Sequence, residues 1–165
     1  MPVLSGDYEI RYQTQTSGAT TPWNEWGFAG MLNISGDVNE LDINIESVEL
    51  GGTFNHNGVP TKATEYDDGN FYLETVAGDR VFLENSHNLA YEKHVMLGNY
   101  DIYCEVEIQG DTVPFNERAR IGSNVSVATG KLNINMTSYP VSGSFTLNGG
   151  AFPVLGATHR ANRPA

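Results

Sequence analysis

Residues 7–13 alternate strictly, with Tyr8, Ile10 and Tyr12 on one side and Asp7, Glu9, Arg11 and Gln13 on the other. That is the period of a half-buried strand. The alternation returns where Leu41, Ile43 and Ile45 interleave with Asp42, Asn44 and Glu46. It returns again where Tyr100, Ile102, Cys104, Val106 and Ile108 face away from Asp101, Tyr103, Glu105 and Glu107. Further extended runs are predicted over 28–34, 48–54, 71–75, 81–83, 89–96, 118–128, 132–136 and 141–147. The segments between them carry turn chemistry: His56-Asn57-Gly58, Ala77-Gly78-Asp79, Leu97-Gly98-Asn99 and Asn148-Gly149-Gly150. Gly51-Gly52 interrupts one run and predicts a bulge or a close backbone approach. No stretch of ten or more residues combines a 3.6-residue period with a cap. Short strands at this spacing predict an all-β sandwich.

The strands repeat. Ser5–Arg11 (SGDYEIR) is answered by Leu97–Tyr103 (LGNYDIY), and Thr21–Gly30 (TPWNEWGFAG) by Val113–Gly122 (VPFNERARIG), both 92 positions later. Glu40–Ile45 (ELDINI) is answered by Lys131–Met136 (KLNINM), and Gly52–Val59 (GTFNHNGV) by Gly143–Gly150 (GSFTLNGG), both 91 positions later. Four blocks in one order make an internal repeat with a period of about 91–92 residues. Residues 48–138 form one complete sandwich unit. Residues 1–47 are the second half of a unit, and residues 139–165 are the start of a further unit followed by a small, polar tail. The chain is cut out of register with its own repeat.

The order VELGGTFNHNG (again as VSGSFTLNGG), EYDDGNFYL, GNYDIY, VPFNERARIG and LNINM resembles the tandem β-sandwich repeats of bacterial surface lipoproteins of the myxobacterial type. It is similar to the carboxypeptidase-regulatory-like, transthyretin-like domains. The likeness covers residues 48–149 well and 5–47 in part. It implies tandem transthyretin-like or Ig-like sandwiches, a non-catalytic role, and a place at the cell surface or outside the cell.

Charge narrows the partners. Twenty Asp and Glu oppose nine Lys and Arg, for a net charge of −11, which disfavours nucleic acid and anionic membranes. No apolar run approaches the ~18 residues of a membrane span, and residues 1–10 lack the basic start and apolar core of a signal peptide. Either the protein stays inside or this N terminus follows processing. The single cysteine, Cys104, excludes an intrachain disulfide and sits on an apolar strand face beside Glu105, so an inert buried thiol is expected.

Candidate sites are few. Glu65, Asp67, Asp68 and Asn70 crowd one loop. Such oxygen ligands suit Ca²⁺, but the spacing is not that of an EF-hand and a solvated turn is preferred. No other cofactor is implied. Trp23 matches Phe115 of the second copy and is read as a core plug. Trp26 matches Arg118 and is the better candidate for a surface contact. His56, His87, His94 and His159 show no metal spacing, and no nucleophile elbow, P-loop or zinc-protease motif is present. The expectation is therefore a structural protein, not an enzyme. It would form a homo-oligomer, as a filament or surface-layer subunit joined by β-strand exchange. Val141, Gly143, Phe145 and Leu147 would be donated, and Tyr8, Ile10, Tyr12, Leu41, Ile43 and Ile45 would accept. The alternative is a surface module within a longer repeat lipoprotein, binding carbohydrate or calcium through Trp23, Trp26 or the acidic loop.

Overall fold

A computed structural model describes residues 3–14, 20–38, 40–61, 69–106, 114, 116–144 and 146–151. Among them the chain is all-β. In order the strands are β1 (Gly6–Tyr12), β2 (Gly27–Ile34), β3 (Ser47–His56), β4 (Val59–Pro60), β5 (Gly69–Glu74), β6 (Arg80–Asn85), β7 (Ala90–Met96), β8 (Gly98–Val106), β9 (Ala119–Val127), β10 (Ile134–Met136), β11 (Thr146–Leu147) and β12 (Gly150–Ala151). No helix among the described residues is long and apolar enough to cross a membrane.

Two sheets make a sandwich-like body. In one, β3 lies between antiparallel β7 and parallel β10, with β4 folding back on its end. The other runs β6-β5-β8-β9, all antiparallel. The predicted alternation delivers the core. Phe71 and Leu73 of β5, Val81 and Leu83 of β6, and Tyr100, Ile102, Cys104 and Val106 of β8 point inward from one sheet. Leu50 and Phe54 of β3, Tyr91 and Val95 of β7, and Ile134 and Met136 of β10 meet them from the other. Phe54 joins the sheets: its ring stacks 4.1 Å from Phe71 and 5.1 Å from Tyr91. Apart from Pro22, all buried apolar side chains among those described fall between Leu50 and Met136.

Two glycine features carry the geometry. The β3–β4 turn uses Asn57 at φ 52° and Gly58 at φ 80°, the left-handed pair that joins twisted strands tightly. Gly51-Gly52 is a close approach, not a bulge, since the β3–β7 register runs unbroken from Ser47–Met96 to Thr53–Ala90. A Cβ on Gly52 would land on the carbonyl oxygen of Leu132. The absence of that Cβ lets β10 and the residues before it run beside β3, where Gly51 N–H donates to Gly130 O and Leu132 N–H to Gly51 O, each at 3.0 Å.

Two predicted strands are corrected. Leu41, Ile43 and Ile45 lie in a segment, 40–46, that joins no ladder, and among the described residues of 141–147 only Thr146 and Leu147 do. A two-residue period marks a chain that has two faces. It does not provide the neighbouring backbone that a strand's hydrogen bonds require.

Burial also governs the tyrosines. Desolvation raises the Tyr91 phenol far above its ordinary range, and it lifts Tyr100 to about 12, with Asn24 opposing the rise and the Asp79 charge adding to it. In the unfolded chain both titrate near ~10. Their contribution to stability is therefore complete below that pH and is lost as pH rises through the folded values. An ultraviolet titration of the eight tyrosines is expected to show a late class that ionises only as the fold opens. A single transition near ~10 would contradict this burial.

Candidate assembly surface

β1 and β2 pair only with each other. Their register contains Ile10–Gly30, Arg11–Phe28 and Tyr12–Gly27, with an irregularity after Ile10. In β8–β9, 92 positions on, the same three pairs recur as Ile102–Gly122, Tyr103–Arg120 and Cys104–Ala119, with irregularities on both sides of Ile102. The earlier pairs, such as Tyr100–Val125, stand one residue off from Tyr8–Leu32. The Asn-Gly turns match as well. Asn148 and Gly149 at φ 51° and 78° repeat Asn57 and Gly58, and Leu147–Gly150 and Thr146–Ala151 repeat His56–Val59 and Asn55–Pro60, 91 positions apart.

Burial differs sharply between matching positions. Tyr100 is 2% exposed and Tyr8 37%; Ile134 is 3% and Ile43 44%; Leu50 is 1% and Val141 95%. Leu41, Phe28, Met31, Tyr139 and Leu147 are exposed too, while Ile10, Tyr12 and Ile45 are half-buried. Apolar positions covered in the sandwich body are thus open at Tyr8 and at Ile43 near the N terminus, and an apolar segment stands uncovered near the C terminus. Phe145 lies outside the described residues.

The two open segments leave opposite ends of β3. Segment 40–46 enters at its start, held where Leu97 N–H donates to Glu46 O at 3.0 Å. Segment 139–144 departs at its far end, where Ser138 Oγ lies 2.6 Å from His56 Nε2 and Ser138 N–H donates to Asn57 Oδ1 at 3.0 Å. Ten residues of strand separate these ends by roughly 30 Å at ~3.3 Å per residue.

A buried polar lock, invisible in the sequence pattern, ties the hairpin to the body. Asn24 is fully buried. Its Nδ2 donates to Asp79 Oδ2 and to Tyr100 Oη, and its Oδ1 accepts from Met96 N–H at 2.9 Å. Asp79 Oδ1 accepts from Trp26 N–H at 3.0 Å, and Tyr100 Oη donates to Met96 O at 2.9 Å. Backbone bonds from Trp23 to His94 and from Glu25 to Arg80 flank it. The available signal was the shared Pro-x-Asn-Glu of the two copies, in which Asn116 matches Asn24 but is exposed. Asn24→Ala leaves a buried carboxylate, a hydroxyl and an N–H each short of a partner. The expected loss is roughly 3 kcal/mol of stability, read by thermal unfolding, and a loss below about 1 kcal/mol would contradict the lock.

The two tryptophans separate. Trp23 packs, half-buried, against the core, with Lys93 Nζ 4.3 Å over its ring. Trp26 is 51% exposed. On the outer face of β6-β5-β8-β9, Arg80 lies over Tyr72 and pairs with Glu105, while Arg118 lies over Tyr103 and pairs with Glu74. Nearby, the Asn124 backbone N–H and then Arg120 hold the Asp101 carboxyl below its ordinary range. These contacts tie strands across one sheet face.

A cavity of about 430 Å³ opens beside Cys104, Asn116, Arg120, Asn135 and Tyr139. Desolvation, helped by the Glu105 charge, pushes the Cys104 thiol up to about 12, so it stays protonated and is a poor nucleophile. Of the acidic-loop candidates, Glu65, Asp67 and Asp68 lie outside the described residues, and Asn70 Oδ1 accepts from Asn85 Nδ2 at 3.2 Å. Among the described residues no three His, Cys, Asp or Glu side chains gather as a metal site would require.

No protein family, curated protein or solved structure matches the chain.

Proposed function

We propose that this chain is a non-catalytic structural subunit that assembles head to tail with copies of itself, outside the cell, by β-strand addition. One observation carries the reading: Tyr100, Ile134 and Leu50 are buried in the body, while their counterparts Tyr8, Ile43 and Val141 are exposed. Exposed apolar surface of this kind marks an interaction site, and an open strand edge is a template for another chain. The two open parts leave opposite ends of β3. A contact between the head of one copy and the tail of the next that does not close on itself grows as a filament. The three matching hairpin pairs and the Asn-Gly turns support the tandem repeat of transthyretin-like units. The resemblance to surface lipoprotein repeats supports the extracellular place.

Negative-stain electron microscopy of the full chain at neutral pH, beside light scattering, tests the reading. Long fibres of uniform width are expected, with scattering that grows with concentration. A monodisperse 18.0 kDa species at every concentration would sink it.

A further inference from the structure

The body already shows how a segment like 40–45 sits beside a segment like 139–147, because it contains the matching pair. β10 runs parallel to β3 with Asn135 opposite Asn55 and Met136 opposite His56, and a parallel bridge joins Lys131 to Gly51. Moved by 91 positions, these become Asn44 opposite Thr146, Ile45 opposite Leu147 and Glu40 opposite Ser142. We propose that residues 142–147 of one copy lie parallel against residues 40–45 of the next copy in this register. The proposal rests on the assembly reading above and specifies its contact.

Side-chain chemistry at the matching positions supports the register. Gly52 is required because a Cβ there would strike the Leu132 carbonyl. Its counterpart Gly143 meets nothing within 4 Å in the free chain and has no left-handed φ, so neither packing nor backbone conformation accounts for glycine there. Opposite Leu41 of a second copy, it would face the same carbonyl. Thr53 donates from its N–H and its hydroxyl to Asn133 Oδ1, each at 3.3 Å. Their counterparts are Ser144, which keeps both donors, and Asp42, which keeps the acceptor.

Charge favours the same pairing. Residues 37–46 hold Asp37, Glu40, Asp42 and Glu46 with no Lys or Arg. From Tyr139 onward there is no Asp or Glu, and Arg160 and Arg163 are the only charged side chains. The C-terminal segment therefore approaches that acidic segment without like-charge repulsion.

The partner is a second copy because the chain does not make this pairing within itself. Segments 40–46 and 139–144 join no ladder, and a Cβ at Gly143 would meet nothing within 4 Å. The two segments leave opposite ends of β3, where Leu97 holds Glu46 and His56 holds Ser138.

The test uses the full chain carrying Asn44→Cys and Thr146→Cys, both at exposed positions, assembled under reducing conditions and then oxidised. Cα partners on adjacent strands lie within disulfide reach, and the native Cys104 is buried. The register predicts a ladder of covalent multimers linked through the two introduced thiols. It predicts loss of that ladder for Asn44→Cys with Leu147→Cys, because a slip of one residue turns the side chain to the other face. Gly143→Val should also abolish the ladder while leaving the melting temperature unchanged. Fibres bridged through the shifted pair, or through neither, would overturn the register and leave the assembly reading standing. A bridge closed within one chain would overturn the second-copy partner. A monodisperse monomer before oxidation would overturn both readings.

Discussion

A chain ended after Ser138 is expected to remain a folded monomer and to stop the full-length chain from growing. None of the removed residues that the structure describes belongs to the buried core, whose last described member is Met136. Tyr139 and Val141 are 80% and 95% exposed, so their loss should leave the melting temperature within about 2 °C, well below the ~4–8 °C per kcal/mol expected of a true core change in a body of this size. The shortened chain keeps the Tyr8, Leu41 and Ile43 surface but has no strand to offer. Mixed with the full chain, it occupies the acceptor position at one filament end and cannot be extended. Elongation followed by light scattering should slow as the shortened chain is added and stop when it is in excess. Growth of the shortened chain alone would show that residues 139–165 are not the donor.

Phe54→Ala is expected to cause the largest loss of stability of any single substitution. Phe54 is fully buried, and its ring stacks on Phe71 from one sheet and Tyr91 from the other. Truncating a buried aromatic costs about 3–5 kcal/mol, the transfer loss and the cavity together. The lost aromatic pairs add ~0.5–1.5 kcal/mol to the burial loss alone. For a cooperative body of this size the melting temperature should fall by at least ~15 °C. Phe54→Leu keeps most of the volume and should cost well under half as much. The readout is thermal unfolding by circular dichroism. Similar small shifts for both variants would mean that the two sheets do not share one core.

Much of this architecture is legible in the alternation of side chains. Tyr100, Ile102 and Cys104 read as an inward face and are one, and the turns at Asn57-Gly58 and around Asp79 fall where Gly and Asn placed them. What the pattern could not carry is partnership. Leu41–Ile43–Ile45 and Ile134–Met136 share a period, yet only the latter has a strand beside it, because β3 follows one segment and precedes the other by some eighty residues of fold. The parallel pairing of β10 with β3 was equally hidden, since a two-residue period is the same in either direction. Asn24 and Asp79 escaped for a different reason. A polar residue between Trp and Glu in a Pro-bounded loop reads as solvated, and only the docking of that loop onto the β6 and β8 ends turns it into a buried lock. Gly143 gains its meaning only from comparison with Gly52, whose missing Cβ admits the Leu132 carbonyl.

Amide hydrogen exchange, measured on the same protein dilute and assembled, tests the central claim most directly. In the monomer, segments 40–46 and 139–144 have no ladder hydrogen bonds and should exchange within the dead time. On assembly, both should become protected together while β3, β5 and β8 are unchanged. Exchange at either segment that stays fast in assembled material would show that the copies are not joined by these strands.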